Sequence, residues 1–266
     1  MEMSRGVRTE QDPAEIYAEL FVPAVFAEWG PRVAEAAAIG LGQRVLDVGC
    51  GTGVLARAAA ERAGPQGEVV GIDPNPMMLA VARRKPNGVL WQSGRAEALP
   101  FDDASFDAVV SQFALMFFES KPAAIAEMLR VLRPGGRLAV AVWASLDRAP
   151  GYLVLTDLLR ELFGADIAAA MQAPFTVGDR ELLGLIADAG AAHAEVQTLT
   201  GSVCFASIDA MISAERACVW TLGGMLSEEQ LTQLRRAAQD ALQPFIRSDA
   251  SVQFDCSAHL ATGTRA

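Results

Sequence analysis

Histidine, paired cysteine, basic charge and long apolar runs are all scarce in this chain, and each scarcity closes off a class of function. Of 266 residues, 2 are His and 4 are Cys. The cysteines stand at 50, 204, 218 and 256 without C-x-x-C spacing, so neither a zinc site nor a dithiol redox centre is expected. No His/Asp/Glu cluster has metal-ligand spacing, so no metal is expected. The formal net charge is −10 and the pI is near 4.8, a sign that argues against a nucleic-acid partner and reads as solubility. Residues Met1 to Gly6 lack an apolar signal core, and the most apolar stretch, Leu138 to Trp143, is too short to cross a bilayer. No membrane span and a cytoplasmic location are therefore expected.

What is present is apolar and periodic. With 52% hydrophobic and 20% charged residues, the chain can bury a large core as one domain or a domain with an insertion. Residues 1–12 are polar and expected to fray. Ile16, Leu20, Val25 and Phe26 recur at helical spacing over 14–29, where Pro23 should interrupt the helix or open a second one. Another helix is expected over 31–39.

Strands and helices then alternate. Strands are expected at 44–48, 68–72, 88–92, 106–111 and 137–142, and helices at 53–63, 76–84 and 122–132, the last ended by Pro134-Gly135-Gly136. That rhythm implies a parallel sheet covered on both faces, an α/β doubly wound architecture. After Trp143 it breaks. Residues 147–175, 179–189 and 207–248 read as helical, with Pro244 an interruption. His193 to Leu199 reads as a strand, and Val252 to Ala258 alternates like an edge strand.

One stretch carries most of the chemistry. The apolar run Val45-Leu46-Asp47-Val48 carries an acidic residue at the strand end, Gly49-Cys50-Gly51-Thr52-Gly53 places glycines at every second position, and a helix follows. Such a turn brings a ligand against bare backbone and offers helix N–H groups to an anion. A dinucleotide fingerprint needs its third glycine three places after the second, and Val54 stands there instead. No Lys-Ser/Thr follows, which excludes a phosphate loop of the NTPase kind. Asp47 is placed to order the loop or meet a ligand ammonium.

The G-x-G-x-G turn resembles motif I of the class I S-adenosylmethionine (SAM) dependent methyltransferases. Asp73, at the end of Val69-Val70-Gly71-Ile72, lies where a carboxylate can accept ribose hydroxyls, and Pro74 and Met78 could pack on an adenine face. Gly94-Arg95-Ala96-Glu97-Ala98-Leu99-Pro100-Phe101 resembles the family's Gly-Asp-Ala-Glu-x-Leu-Pro-Phe stretch, but Arg95 replaces the acidic residue that commonly meets the adenine amino group. Either Glu97 or the backbone at Ala96 is left to read it. Arg130-Val131-Leu132-Arg133-Pro134-Gly135-Gly136 resembles the family's helix-to-strand-five turn. The resemblance covers residues 43–143 most fully. The early Tyr17 and the closing Ala258-His259-Leu260-Ala261-Thr262-Gly263 resemble the branch related to the ubiquinone and menaquinone methylases.

The resemblance implies a seven-stranded, mostly parallel Rossmann-like sheet with an antiparallel last strand and helical lid insertions. It also implies SAM as methyl donor and S-adenosylhomocysteine (SAH) as product. Tyr17, Asp47, Gly49, Cys50, Gly51, Asp73, Pro74, Met78, Ala96, Glu97 and Gln112 are the expected cofactor contacts. Phe113, Met116, Phe117 and Trp143 are expected to line an apolar acceptor pocket, with core packing as the competing account. The expected organisation is 1–42 over the cofactor site, 43–146 as the SAM-binding core, 147–178 as a helical lid, and 179–266 completing the core around the insertion 207–248.

In-line displacement from a sulfonium gains much from alignment alone, and a base is needed only if the acceptor loses a proton. His193 and His259 are expected at strand ends pointing away from the site. Asp147 and Tyr152, just past strand five, are the candidates for a base, although Asp147-Arg148 also reads as a turn. The expected function is methyl transfer to a small apolar or aromatic acceptor, with a homodimer left open. A SAM-binding enzyme promoting another reaction, and a non-catalytic SAM-binding subunit, are the alternatives.

Overall fold

The computed structural model describes residues 12–84 and 88–266. The expected fraying of residues 1–12 concerns residues outside that range, except for Asp12. Asp12 caps the first helix, its Oδ1 accepting the Ala14 N–H at 2.9 Å. Helix α1 (Pro13–Ile16) runs straight into a π-helical stretch, Tyr17–Phe26, and Pro23 lies inside it without a break. A proline has no N–H for the ladder and crowds the carbonyl four residues back. Bonding five residues back, as from the Ala27 N–H to Val22 O at 2.9 Å, opens the turn enough to take the ring. Helix α2 is Trp29–Ala36.

From Arg44 the strands and helices alternate largely as expected. Strand β1 (Arg44–Val48) leads through the glycine turn to α3 (Val54–Ala63), and β2 (Glu68–Asp73) to α4 (Pro76–Arg83). Strands β3 (Val89–Ser93) and β4 (Phe106–Gln112) precede α5 (Lys121–Val131) and β5 (Leu132–Trp143). Next come α6 (Pro150–Phe163), α7 (Ala165–Gln172) and α8 (Asp179–Asp188). Then β6 (Ala191–Phe205), α9 (Ile208–Ala217), α10 (Glu228–Ala241) and β7 (Val252–Arg265) complete the chain.

Among the described residues the strands form one seven-stranded sheet in the order β3-β2-β1-β4-β5-β7-β6. Strand β7 is antiparallel to both its neighbours, and the pairs among β1 to β5 are parallel. The chain winds outward from β1 to β3 on one side and from β4 onward on the other. The order therefore reverses between β1 and β4, and the strand ends there frame a crevice.

Three expectations need correction. Strand β5 begins at Leu132, which pairs with Phe106 across a register shift, so Pro134-Gly135-Gly136 belongs to a bulged strand start and not to a turn before it. Strand β7 is interior, because β6 covers it; its first residues alternate since one face is open there, and from Cys256 both faces are buried. Pro244 lies in a short 3-10 turn, Gln243–Phe245, that follows α10 instead of interrupting it.

His259 also sits elsewhere than expected. It pairs with Val142, one residue from the site end of β5. It avoids the site by facing the other side of the sheet: directly opposed residues share a face, and Trp143, the next residue of β5, is the one that turns into the cavity. Its Nδ1 meets Thr198 Oγ1 at 2.9 Å, and burial lowers its pKa, so it stays a neutral packed ring. His193 lies at a bulge in the first residues of β6 with φ +52.

Candidate active site

The crevice at the switch point deepens into a cavity fed by four strand ends. Asp47 comes from β1, Asp73 from β2, Gln112 from β4 and Trp143 from β5. The π-helical stretch closes one side with Tyr17, Phe21 and Phe26. Residues from α6, α7, α9 and the segment after it close another, among them Tyr152, Met171, Glu215, Cys218 and Thr221.

The glycine turn hangs from β2, with the Gly49 and Cys50 N–H groups both donating to Ile72 O at 2.9 and 3.0 Å. Its three glycines serve different ends. All have positive φ, at +72, +53 and +88 for Gly49, Gly51 and Gly53. A Cβ on Gly49 would lie 2.5 Å from Ala114 Cβ, and one on Gly53 would lie 2.2 Å from the Trp91 ring. A Cβ on Gly51 would meet no protein atom within 4 Å. Gly49 and Gly53 thus answer to packing, while Gly51 presents bare backbone to open space. No side chain caps α3, so its N-terminal turn faces the cavity through Val54 and Leu55 with its positive potential available.

The loop-ordering task expected of Asp47 falls to the other carboxylate. Asp73, not Asp47, orders the loop: its Oδ2 accepts the Gly51 N–H and its Oδ1 the Asn75 N–H, both at 2.8 Å. Burial raises the Asp73 pKa against those two bonds. Asp47 is 1% exposed, and neither of its oxygens has a partner in hydrogen-bond geometry. Burial pushes its pKa up to about 8, with the Ala56 N–H and the Arg57 guanidinium opposing only in part. A buried carboxyl with both oxygens unclaimed is suited to a cationic ligand group. Gln112 repeats the pattern on a smaller scale. Its Nε2 donates to Phe26 O at 3.1 Å, and its buried Oε1 is unclaimed.

Pro74, Met78 and Asn75 lie on the wall beside Asp73, and Cys50 lies behind the turn with its thiol pKa raised by burial. Tyr17 stacks on Phe21 and Phe26 at 5.6 and 5.5 Å, and burial holds its phenol neutral. Phe113 and Trp143 lie face to face at 3.6 Å and 6°, with Phe26 tilted against both. Phe117 is stacked under Trp220 at 4.9 Å near the cavity mouth.

Four expected residues stand apart from this wall. Ala96 is buried outside it. Glu97 is spent elsewhere, its Oε1 accepting the Glu119 N–H at 2.8 Å and its Oε2 pairing with Arg95. Arg95 also pairs with Glu119, which accounts for the unusual residue as one member of a surface ion-pair set. Met116 packs in the core beside Leu115, and Asp147 is exposed on a 3-10 turn, Leu146–Arg148.

Sequence reasoning missed Glu215, Cys218 and Thr221. A signal for the first existed: Ile208, Met211 and Ile212 form the apolar stripe of α9, and Glu215 continues it at the i+3/i+4 position. Glu215 is 1% exposed, and its Oε2 accepts the Thr221 hydroxyl at 2.7 Å. Tyr152 is 4% exposed, and its Oη has no partner in hydrogen-bond geometry.

Residues 46–140 match the family model described as a methyltransferase domain. Demethylmenaquinone methyltransferase of Staphylococcus carnosus is 35% identical over 190 residues, covering 66% of this chain and 78% of the relative. The chain belongs to the class I SAM-dependent methyltransferases. The ubiquinone/menaquinone biosynthesis C-methyltransferase UbiE of Ralstonia pickettii is 36% identical over 183 residues, covering 66% of this chain and 71% of the relative. The crystal structure of the YcgJ protein of Bacillus subtilis has the same fold, with a TM-score of 0.60 at 21% identity over 90% of this chain and 98% of that one. This methyltransferase uses SAM as its methyl donor, and the unclaimed oxygens of Asp47 and the open face of Gly51 fit such a ligand. No described helix is long and apolar enough to cross a membrane.

Proposed function

We propose that this methyltransferase places a methyl group on a ring carbon of a hydroxylated aromatic acceptor of the quinol class. The observation that carries the reading is the parallel Phe113–Trp143 pair, 3.6 Å apart, on the cavity wall next to the strand ends. Its flat apolar face suits a planar ring, and Phe26, Phe117 and Phe175 extend it. The quinone methyltransferase names of the two relatives support the same acceptor class.

SAM supplies a methyl group already activated on a sulfonium. In the proposed arrangement the Asp47 carboxylate holds the donor's ammonium, and the N-terminal turn of α3 faces its carboxylate. Asp73 accepts the ribose hydroxyls with lone pairs left over from its two backbone bonds. Gly49, Cys50 and Gly51 supply the close backbone, and Pro74 and Met78 flank the adenine. Tyr17 and Gln112 border the methionine end. Phe113, Phe117 and Trp143 would hold the acceptor ring against the methyl end of the donor and exclude water.

The test is transfer of isotope-labelled methyl from SAM to a 1,4-naphthoquinol unsubstituted at C2 and kept reduced. Product is identified by mass and by carbon NMR. A ring C-methyl signal is expected. Methylation confined to an amine or thiol acceptor would overturn the acceptor class.

A further inference from the structure

Resting on that acceptor reading, we propose that Glu215 is the general base of the reaction, taking the proton that the acceptor gives up, with Tyr152 and Thr221 as the residues that position its carboxylate. Glu215 lines the cavity from α9 and is almost wholly buried. Among the described residues it has no ion-pair partner. On its own and the adjoining helix, Arg216 pairs with Glu228 and Arg235 with Asp209. Glu15 on α1, which packs on α9, is taken by Arg84. An uncompensated carboxylate in an apolar wall is costly, and α9 could close its stripe with a leucine instead.

The groups that face Glu215 are all neutral. They are the Thr221 hydroxyl, bonded to Oε2, the Tyr152 phenol from α6, and the Cys218 thiol. Tyr17, from the π-helical stretch, lies beyond Cys218, and Cys256 on β7 acts on Tyr152. Burial lifts the pKa values of Tyr17, Tyr152, Cys218 and Cys256, Cys218 to about 11, so none competes for a proton near neutrality. Glu215 itself is pushed up to about 7 by burial, with the bond from Thr221 and the nearby Tyr152 phenol pulling the other way. A base with that affinity is half ionised at neutral pH and strong enough to accept a phenolic proton as the ring becomes a nucleophile.

The balance is simple. Glu215 carboxylate takes the acceptor's O–H proton, and the oxygen pair feeds the ring. A ring π pair then forms the new C–C bond as the methyl–sulfur pair leaves on sulfur, giving neutral SAH. Loss of the ring C–H proton restores aromaticity, and Glu215 returns its proton to the oxygen, so the carboxylate is regenerated and one proton is released per methyl transferred.

The experiment measures kcat against pH, from 5.5 to 9, for wild type, Glu215→Gln and Tyr152→Phe with the naphthoquinol acceptor and saturating SAM. SAH affinity is followed by calorimetry. Wild-type kcat is expected to rise with pH through a midpoint near the Glu215 value. The Gln variant should lose about 10²–10⁴-fold in kcat, lose the rising limb, and keep its SAH affinity within about two-fold, since Glu215 is off the cofactor wall. Tyr152→Phe removes the neighbouring phenol that favours the carboxylate, so its midpoint should move to higher pH. The inference is overturned if Glu215→Gln keeps the rising limb, or if it loses SAH binding together with kcat while Tyr152→Phe leaves the midpoint in place. A wild type that binds SAH but methylates no hydroxylated ring overturns the acceptor reading, and this inference with it.

Discussion

Asp73 Oδ2 accepts the Gly51 N–H at 2.8 Å, so the carboxylate at the end of β2 is also the brace of the glycine turn at the end of β1. The two strands lie side by side, and this bond fixes how far apart their ends stand. Cofactor affinity should therefore depend on Asp73 twice, through the turn and through the ribose. Asp73→Ala removes both. With hydrogen bonds to a charged acceptor worth about 1.5–3 kcal/mol each, SAH binding measured by calorimetry should weaken at least about ten-fold. Asp73→Asn should fall between the two, because one of its polar atoms becomes a donor aimed at a backbone N–H. Wild-type affinity in the Ala variant would remove Asp73 from the site.

Asp47 should make cofactor binding depend on pH. Its pKa is raised by burial to about 8, so at pH 7 the carboxyl is mostly protonated in the free protein. A cationic ammonium favours the ionised form, so SAH binding at pH 7 should release protons, and affinity should climb from pH 6 to about 8. The stability of the free protein should run the other way. A group whose folded pKa lies above its unfolded value stabilises the fold at low pH and loses that contribution as pH rises through the folded value. Calorimetry in two buffers of different ionisation heat measures the released protons, and Asp47→Asn should abolish that release.

Gly51→Ala and Gly53→Ala should fail in opposite ways. At Gly51 the protein leaves a Cβ free of contacts within 4 Å, and only the positive φ is strained, a cost of about 1–2 kcal/mol. That variant should fold with a modestly lowered melting temperature and bind SAH poorly, because its methyl group stands in the ligand's space. At Gly53 a Cβ would lie 2.2 Å from the Trp91 ring, so stability should drop far more. Equal losses of stability in the two variants would contradict the division of roles among these glycines.

The parts of the site that could be read from sequence are those whose chemistry is local. Gly49, Gly51, Gly53 and Asp73 sit within a strand–turn–helix and the next strand end, where spacing alone places them. Which carboxylate braces the loop was not legible, because the Asp73–Gly51 bond joins the ends of two strands. The length of β7 and its interior place depend on β6, which contributes only pairing to it. Glu215 was hidden for a related reason: in sequence it reads as the polar end of a helix face. Only the packing of α9 against the cavity turns that face inward, toward Tyr152, 63 positions earlier in the chain.

Trp220 marks the mouth of the cavity. It is 45% exposed, follows exposed Val219, and stacks on Phe117 at 4.9 Å and 22°. Phe117 lies on the proposed acceptor wall, whereas the proposed cofactor wall is built from β1, β2 and α4. Loss of the indole should therefore act on the acceptor and spare the donor. A stacked aromatic pair contributes about 0.5–1.5 kcal/mol beyond burial, so Trp220→Ala should raise the acceptor KM about two- to ten-fold. SAH affinity should stay within about two-fold, and the melting temperature should move little, since a half-exposed side chain contributes little to the core. Steady-state kinetics with acceptor varied at saturating SAM reads the effect. A shift in SAH affinity with acceptor KM unchanged would place Trp220 on the donor side and remove the mouth from this end of the cavity.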